Sequence, residues 1–171
     1  MRAVIAAVLL IAGSVPVLAG MPAQFKETLQ CVDGSPPVRL SSYKSKVLLL
    51  EFWATYCVPC AEARPYFEEL QRRFADRGLV VLAVDVGEDA QTVKTYLKAH
   101  PTPLKVVLDP KRRLAGGLLL SKEPAMALFD TNDELDWSAA GFAPGTKEEL
   151  SSRLDRALPG ERGSVPLGAL K

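Results

Sequence analysis

Cys57-Val58-Pro59-Cys60 sets two thiols apart by two residues. Such a pair can close to a disulfide and reopen. The apolar run Val47-Leu48-Leu49-Leu50-Glu51-Phe52-Trp53 precedes it, and a stretch with helical periodicity follows. A helix N-terminus carries partial positive charge, which favours a thiolate on the first cysteine. Zinc sites use the same spacing, but a structural zinc needs four ligands. This chain offers only one more cysteine, Cys31, and a single histidine, His100. Placement between a strand and a helix points to redox chemistry. Glu51 interrupts the apolar strand six residues before Cys57. Either it is a solvated strand residue, or it is a buried acid. Burial would raise its pKa toward working pH, which suits a general base.

The elements that position these residues follow from the pattern. Phe25 to Cys31 reads as a short strand, Asp33-Gly34 as a turn, and Val38-Arg39-Leu40 as the return strand of a hairpin. Ser41-Ser42-Tyr43 turns into the buried strand at 47–53. After the cysteines, Tyr66, Phe67, Leu70 and Phe74 fall at helical spacing, and Gly78 closes that helix. Leu79 to Val84 is a continuous apolar run, which suits a strand covered on both faces. Strand, helix, strand is a βαβ unit. A second helix spans about 90–99 and ends at His100-Pro101. Leu104 to Leu108 is a strand, and Lys111 to Leu120 is ambiguous. Ala125 to Phe129 and Leu135 to Ala140 form a hairpin around Thr131-Asn132-Asp133. Thr146 and Glu149 fit a capping box for a last helix lined by Leu150, Leu154, Ala157 and Leu158. Cys31 reads as a small buried residue and His100 as a helix-end residue.

A length of 171 residues suits one domain. Hydrophobic content of 48% with 24% charged residues excludes a disordered or fibrous chain. A net charge of +1 with no block of like charge argues against a nucleic-acid partner. Residues 1–19 read as a signal peptide. Arg2 gives a positive start, Ala3 to Ala12 is apolar, and Val17-Leu18-Ala19 offers a cleavage site before Gly20. The alternative is an uncleaved anchor in the inner membrane, the one case in which a membrane is a partner. Export to the periplasm or cell envelope places the cysteines among oxidants. An odd cysteine count leaves one thiol outside any pair. Pro159 to Lys171 reads as a fraying tail.

Phe52-Trp53-Ala54-Thr55-Tyr56-Cys57-Val58-Pro59-Cys60 resembles the F-W-A-x-W-C-x-x-C stretch of thioredoxin-fold proteins. With Pro65 five residues after Cys60, it looks like the exported TlpA/ResA branch. Asp33-Gly34, Leu40-Ser41, Pro124 before a strand ending at Asp130, and Gly141 agree with that branch. The resemblance covers about residues 22–158. It implies an α/β thioredoxin fold, with a central mixed sheet, flanking helices and an N-terminal hairpin extension. It implies that Cys57 attacks a substrate disulfide and Cys60 resolves the mixed disulfide, with no cofactor and no metal. By the same likeness, Glu51 takes the proton of Cys60. Pro124 is a cis-proline presenting the Glu123 backbone to an extended substrate. Pro59 tunes the redox pair, and Tyr56 and Trp53 frame the cysteines, with core packing the equal alternative for Trp53. One departure stands out. The branch often carries a glutamate three residues after the second cysteine, and here that residue is Ala63. Glu62 lies one helical step, about 100°, away. Cytochrome c maturation, tied to that acid in some relatives, loses its marker.

The expected function is reduction of protein disulfides, with electrons from an envelope dithiol donor. An oxidant that donates disulfides is the rival enzyme, told apart by reduction potential. A copper- or zinc-binding chaperone is the rival from another class.

Overall fold

The computed structural model describes residues 28–158. The signal-peptide and tail readings, and the start of the first strand, lie outside those residues. Seven strands form one mixed sheet in the order β2-β1-β5-β4-β3-β6-β7. They are β1 (Thr28–Cys31), β2 (Val38–Arg39), β3 (Val47–Trp53), β4 (Leu79–Val86), β5 (Lys105–Asp109), β6 (Ala125–Phe129) and β7 (Leu135–Ala140). Four α-helices flank it: α1 (Val58–Phe74), α2 (Ala90–Ala99), α3 (Arg113–Gly117) and α4 (Pro144–Ala157). β3 runs parallel to β4, and β4 to β5, whereas β6 and β7 are antiparallel. The expected N-terminal hairpin is present: β1 pairs with β2 and also joins the sheet through β5.

β3 is central and buried at every position. Side chains alternate across a strand, so its two faces feed two cores. Val47, Leu49 and Trp53 pack with Cys60, Phe67 and Leu70 of α1, Val93 of α2 and Leu154 of α4. Leu48, Leu50 and Phe52 pack with Leu114 and Ala115 of α3 and with Leu118. α1 ends in a 3-10 turn closed by Gly78 at φ +95°, a conformation that favours glycine. The Gly78 carbonyl accepts the Val47 N–H, so the end of α1 is tied to the start of β3.

Two expectations at the elements change. α4 begins at Pro144, with Ala143 as an N-cap that makes no side-chain bond. Thr146 is therefore inside the first turn, where its N–H donates to the Ala143 carbonyl. Proline at the first helical position has its φ preset and no N–H to satisfy, and this outweighs the capping-box pattern. The ambiguous stretch 111–120 holds the short α3. Its first N–H groups, Arg113 and Ala115, donate to the Asp109 carboxylate at 2.7 and 3.0 Å. Among the described residues, no helix is long and apolar enough to cross a membrane.

Candidate active site

Cys57 is the N-cap of α1, and Cys57 and Cys60 are joined in a disulfide. The local chain makes this placement. Cys57 N–H donates to the Ala54 carbonyl, turning the backbone out of β3, and the Cys60 and Ala61 N–H groups donate to the Cys57 carbonyl. The Cys60 N–H also lies 3.2 Å from Cys57 Sγ. A sulfur at this end of a helix meets unpaired N–H groups and the positive end of the dipole. Pro59 sits in the first turn, where its missing N–H costs nothing. Cys57 is half-buried, whereas Cys60 is fully buried against the core. Only the first sulfur can meet a protein partner.

The loop before the disulfide is clasped from the loop that follows the neighbouring strand. Thr55 donates its N–H and its hydroxyl to the two oxygens of Glu88, each at 2.6 Å. Glu88 belongs to the loop between β4 and α2. Tyr56 and Val58 flank Cys57 and stand 69% and 68% exposed, which leaves an apolar rim open to a docking chain. For Trp53 the core reading holds: it is 1% exposed, with Tyr96 against it at 5.6 Å. The β3–β6 register sets Ala125 opposite Phe52. Pro124 therefore lies at the end of β3 from which the cysteine loop leaves. The Glu123–Pro124 bond is cis. Glu123 is held by Arg112 at 2.6 Å, and the Pro124 carbonyl accepts the Gly141 N–H at 2.7 Å.

Glu51 is fully buried on the face that carries Cys60 and Trp53. Burial pushes its carboxyl up to about 7, even though the Arg64 guanidinium pulls it down. Arg64 Nε lies 3.2 Å from Oε2 and 3.4 Å from Oε1. A second acid shares this face. Asp85 follows Val81 and Ala83 along β4, pairs in register with Trp53, and is fully buried. Burial first, then the neighbouring Glu88, push it up to about 8.

The cysteines, Glu51 and Pro124 stand out in the sequence, and the fold brings them to one end of β3. Arg64, Asp85 and the Thr55–Glu88 clasp do not stand out in it. The signal for Arg64 was its spacing: Cys60, Ala63, Arg64 and Phe67 form one buried helical stripe. The signal for Asp85 was alternation from Ala83. Ala63 is buried and Glu62 exposed, as the one-step rotation requires. Cys31 is buried, with its thiol 3.3 Å from the Pro36 carbonyl. His100 caps the end of α2 and stacks on Tyr96 at 4.3 Å. Among the described residues, no three His, Cys, Asp or Glu side chains converge on a metal-sized site.

Known proteins resemble this chain in sequence and fold. The family model described as Redoxin matches residues 18–155. Thiol-disulfide oxidoreductase ResA of Geobacillus kaustophilus is 31% identical over 121 residues, covering 71% of this chain and 68% of that protein. ResA of Bacillus subtilis is 28% identical over 124 residues, covering 72% and 68%. Among solved structures, a protein assigned as thiol:disulfide interchange protein DsbE from Chlorobium tepidum superposes with a TM-score of 0.71 at 28% identity, covering 78% of this chain and 93% of that one. The exposed lipoprotein thioredoxin of Streptococcus pneumoniae superposes with a TM-score of 0.67 at 29% identity, covering 76% and 98%.

Proposed function

We propose that this chain, which belongs to the redoxin family and is a thiol–disulfide oxidoreductase of the TlpA/ResA kind within the thioredoxin superfamily, reduces disulfides of exported proteins through Cys57 and Cys60. The observation that carries the division of roles is the contrast between the two sulfurs: one half-exposed at a helix N-terminus, the other fully buried one turn on.

The reaction runs in two exchanges. The Cys57 thiolate attacks one sulfur of a substrate disulfide. A Cys57–substrate disulfide forms, and the other substrate sulfur leaves as a thiolate and takes a proton. Cys60 gives its proton to Glu51, and its thiolate attacks Cys57 Sγ. The Cys57–Cys60 disulfide forms and the second substrate thiolate departs. Two electrons have passed to the substrate. The disulfide seen here is the product state on the enzyme. A dithiol donor in the envelope returns it to the dithiol by the same exchanges. Tyr56, Pro59 and the Glu123–Pro124 backbone form the contact surface for an extended substrate segment, with Trp53 packed beneath it. A backbone segment at the end of β3 from which the cysteine loop leaves suits pairing with a strand-like segment.

Export is part of the proposal. It rests on the positive, apolar, small-residue pattern of residues 1–19. The Streptococcus relative, an exposed lipoprotein, supports it. N-terminal sequencing of the mature protein should begin at Gly20, and a retained Met1 would replace cleavage with anchoring.

Trapping tests the chemistry. Cys60→Ala should accumulate mixed disulfides on Cys57, resolvable by reductant and identifiable by mass spectrometry. Cys57→Ala should accumulate none. Adducts on Cys60 in the Cys57→Ala variant at a similar yield would defeat the assignment of roles. A reduction potential at the oxidising end of the fold's range, near −120 mV, would reverse the direction of electron flow.

A further inference from the structure

Arg64 is a cation buried under the site, and the exchange chemistry described above does not itself require it. Its side chain is 11% exposed. A long charged side chain is rarely so enclosed without a partner. On one side, its Nε meets Glu51 at 3.2 Å. On the other, its guanidinium carbon lies 4.3 Å from the centroid of the Trp53 ring. A guanidinium can do both at once, because it is planar and its donors lie in its plane.

We propose that Arg64 is a positioning residue for thiol–disulfide exchange: clamped between the Trp53 ring and the Glu51 carboxylate, its guanidinium holds Glu51 in place as the acceptor for the proton of Cys60. The proposal rests on Glu51 being that acceptor.

The other charged and titratable groups around Glu51 make Arg64 decisive. Glu68, one turn along α1, raises the carboxyl's proton affinity, and it is occupied by the Thr102 hydroxyl at 2.6 Å. Asp85 of β4 lies on the same face, and Glu88 acts on Asp85. β6 contributes the neutral Met126 opposite Glu51. α2 contributes Tyr96 and the ring of His100, which line a cavity of about 200 Å³ with Arg64 and Glu68. Of the described groups that act on Glu51, Glu68 adds to the effect of burial and Arg64 opposes it. Arg64 also pulls Asp85 downward.

The test follows Glu51 and Cys60 separately. The Glu51 carboxyl is titrated by carbon-13 NMR in the oxidised protein. The resolution step is followed against pH by stopped flow, starting from a preformed mixed disulfide. Arg64→Met should move the carboxyl titration and the inflection of the resolution rate up together, by about 1–3 pH units. Arg64→Lys should reverse most of that shift, because it returns the charge without the planar fork. Should Arg64→Met fail to fold, Arg64→Gln keeps a donor for Glu51, removes the charge, and carries the same expectation. In a Glu51→Gln background, Arg64→Met should add no pH shift. A carboxyl titration that stays in place in the uncharged variants overturns the proposal. So does a slower resolution step with an unchanged pH profile, the mark of a merely structural arginine. If Glu51→Gln alone resolves with the parent's profile while Arg64→Met still moves the carboxyl titration, Glu51 is not the acceptor. That outcome removes the link to Cys60 while leaving the electrostatic effect standing.

Discussion

A single helical turn separates a sulfur that meets solvent from one that does not, and reactivity should follow that contrast. In the reduced protein near neutral pH, iodoacetamide should modify Cys57 before Cys60. Exposure and the helix N-terminus both act on Cys57, whereas Cys60 is sealed in the core. Peptide mapping of singly labelled protein measures this, and label on Cys60 first would reverse the roles. Glu51 offers a second measurement at this scale. Glu51→Gln should slow resolution near neutral pH more than it slows the first attack, since only resolution needs its proton transfer. Equal slowing of both steps would make Glu51 a packing residue. Glu51 was legible in the sequence because an acid inside an apolar strand must have a partner or a task. Its partner was not legible. An arginine on a helix normally reads as part of the solvated face, and Arg64 differs only by sharing the stripe of Cys60 and Phe67. Asp85 was missed because the apolar run stops at Val84, one residue before it.

The elements were legible where one signal dominated. β3 showed as an apolar run broken only at Glu51, and β4 as the continuous run Leu79 to Val84. α2 showed through its end at His100-Pro101; its cap did not, and in the structure the Asp89 carboxylate accepts the Gln91 and Thr92 N–H groups at 2.8 and 2.9 Å. Where two signals competed, the pattern misled. At α4, threonine-to-glutamate spacing suggested one start and Pro144 imposed another. α3 was obscured because its five residues end in two glycines and its first N–H groups are accepted by the Asp109 carboxylate of β5, not by its own N-cap Arg112. The uncapped start of α4 invites a direct check. Ala143 is already extended, at φ −86° and ψ 164°, and Ala143→Ser or Ala143→Asp would add an acceptor for the first-turn N–H groups. Either substitution should stabilise the protein by about 1 kcal/mol. Denaturant midpoints compared at constant m-value measure it. A loss of stability would mean that the first turn is already satisfied.

For the whole molecule, the two buried acids set a pH dependence with a definite sign. The Glu51 carboxyl rises from 4.5 to about 7 on folding, and Asp85 from 3.8 to about 8. Between the unfolded and folded values, the native state holds more protons than the unfolded chain. Stability from these groups is complete below about pH 4 and is lost as pH rises toward 8. For Glu51 alone, the loss is of the order of 3 kcal/mol. Asp89 acts in the opposite sense. Its bonds from Thr92 hold its carboxyl below the ordinary range, so its contribution is lost in acid. The melting temperature of the oxidised protein should therefore peak near pH 5 and fall toward pH 8. Asp85→Asn should flatten that fall. A melting temperature that rises steadily from pH 5 to 8 would rule this out. The alternation along β3 reaches further still. Glu51 and Trp53 belong to one side of the sheet, and Leu48, Leu50 and Phe52 to the other. The strand is thus a partition wall. Mutational drift on the α3 side can alter heat tolerance while leaving electron transfer untouched, and drift on the α1 side can retune the chemistry without rebuilding the opposite core. Lineages carrying this arrangement can adapt to a new temperature and to a new redox partner by separate routes.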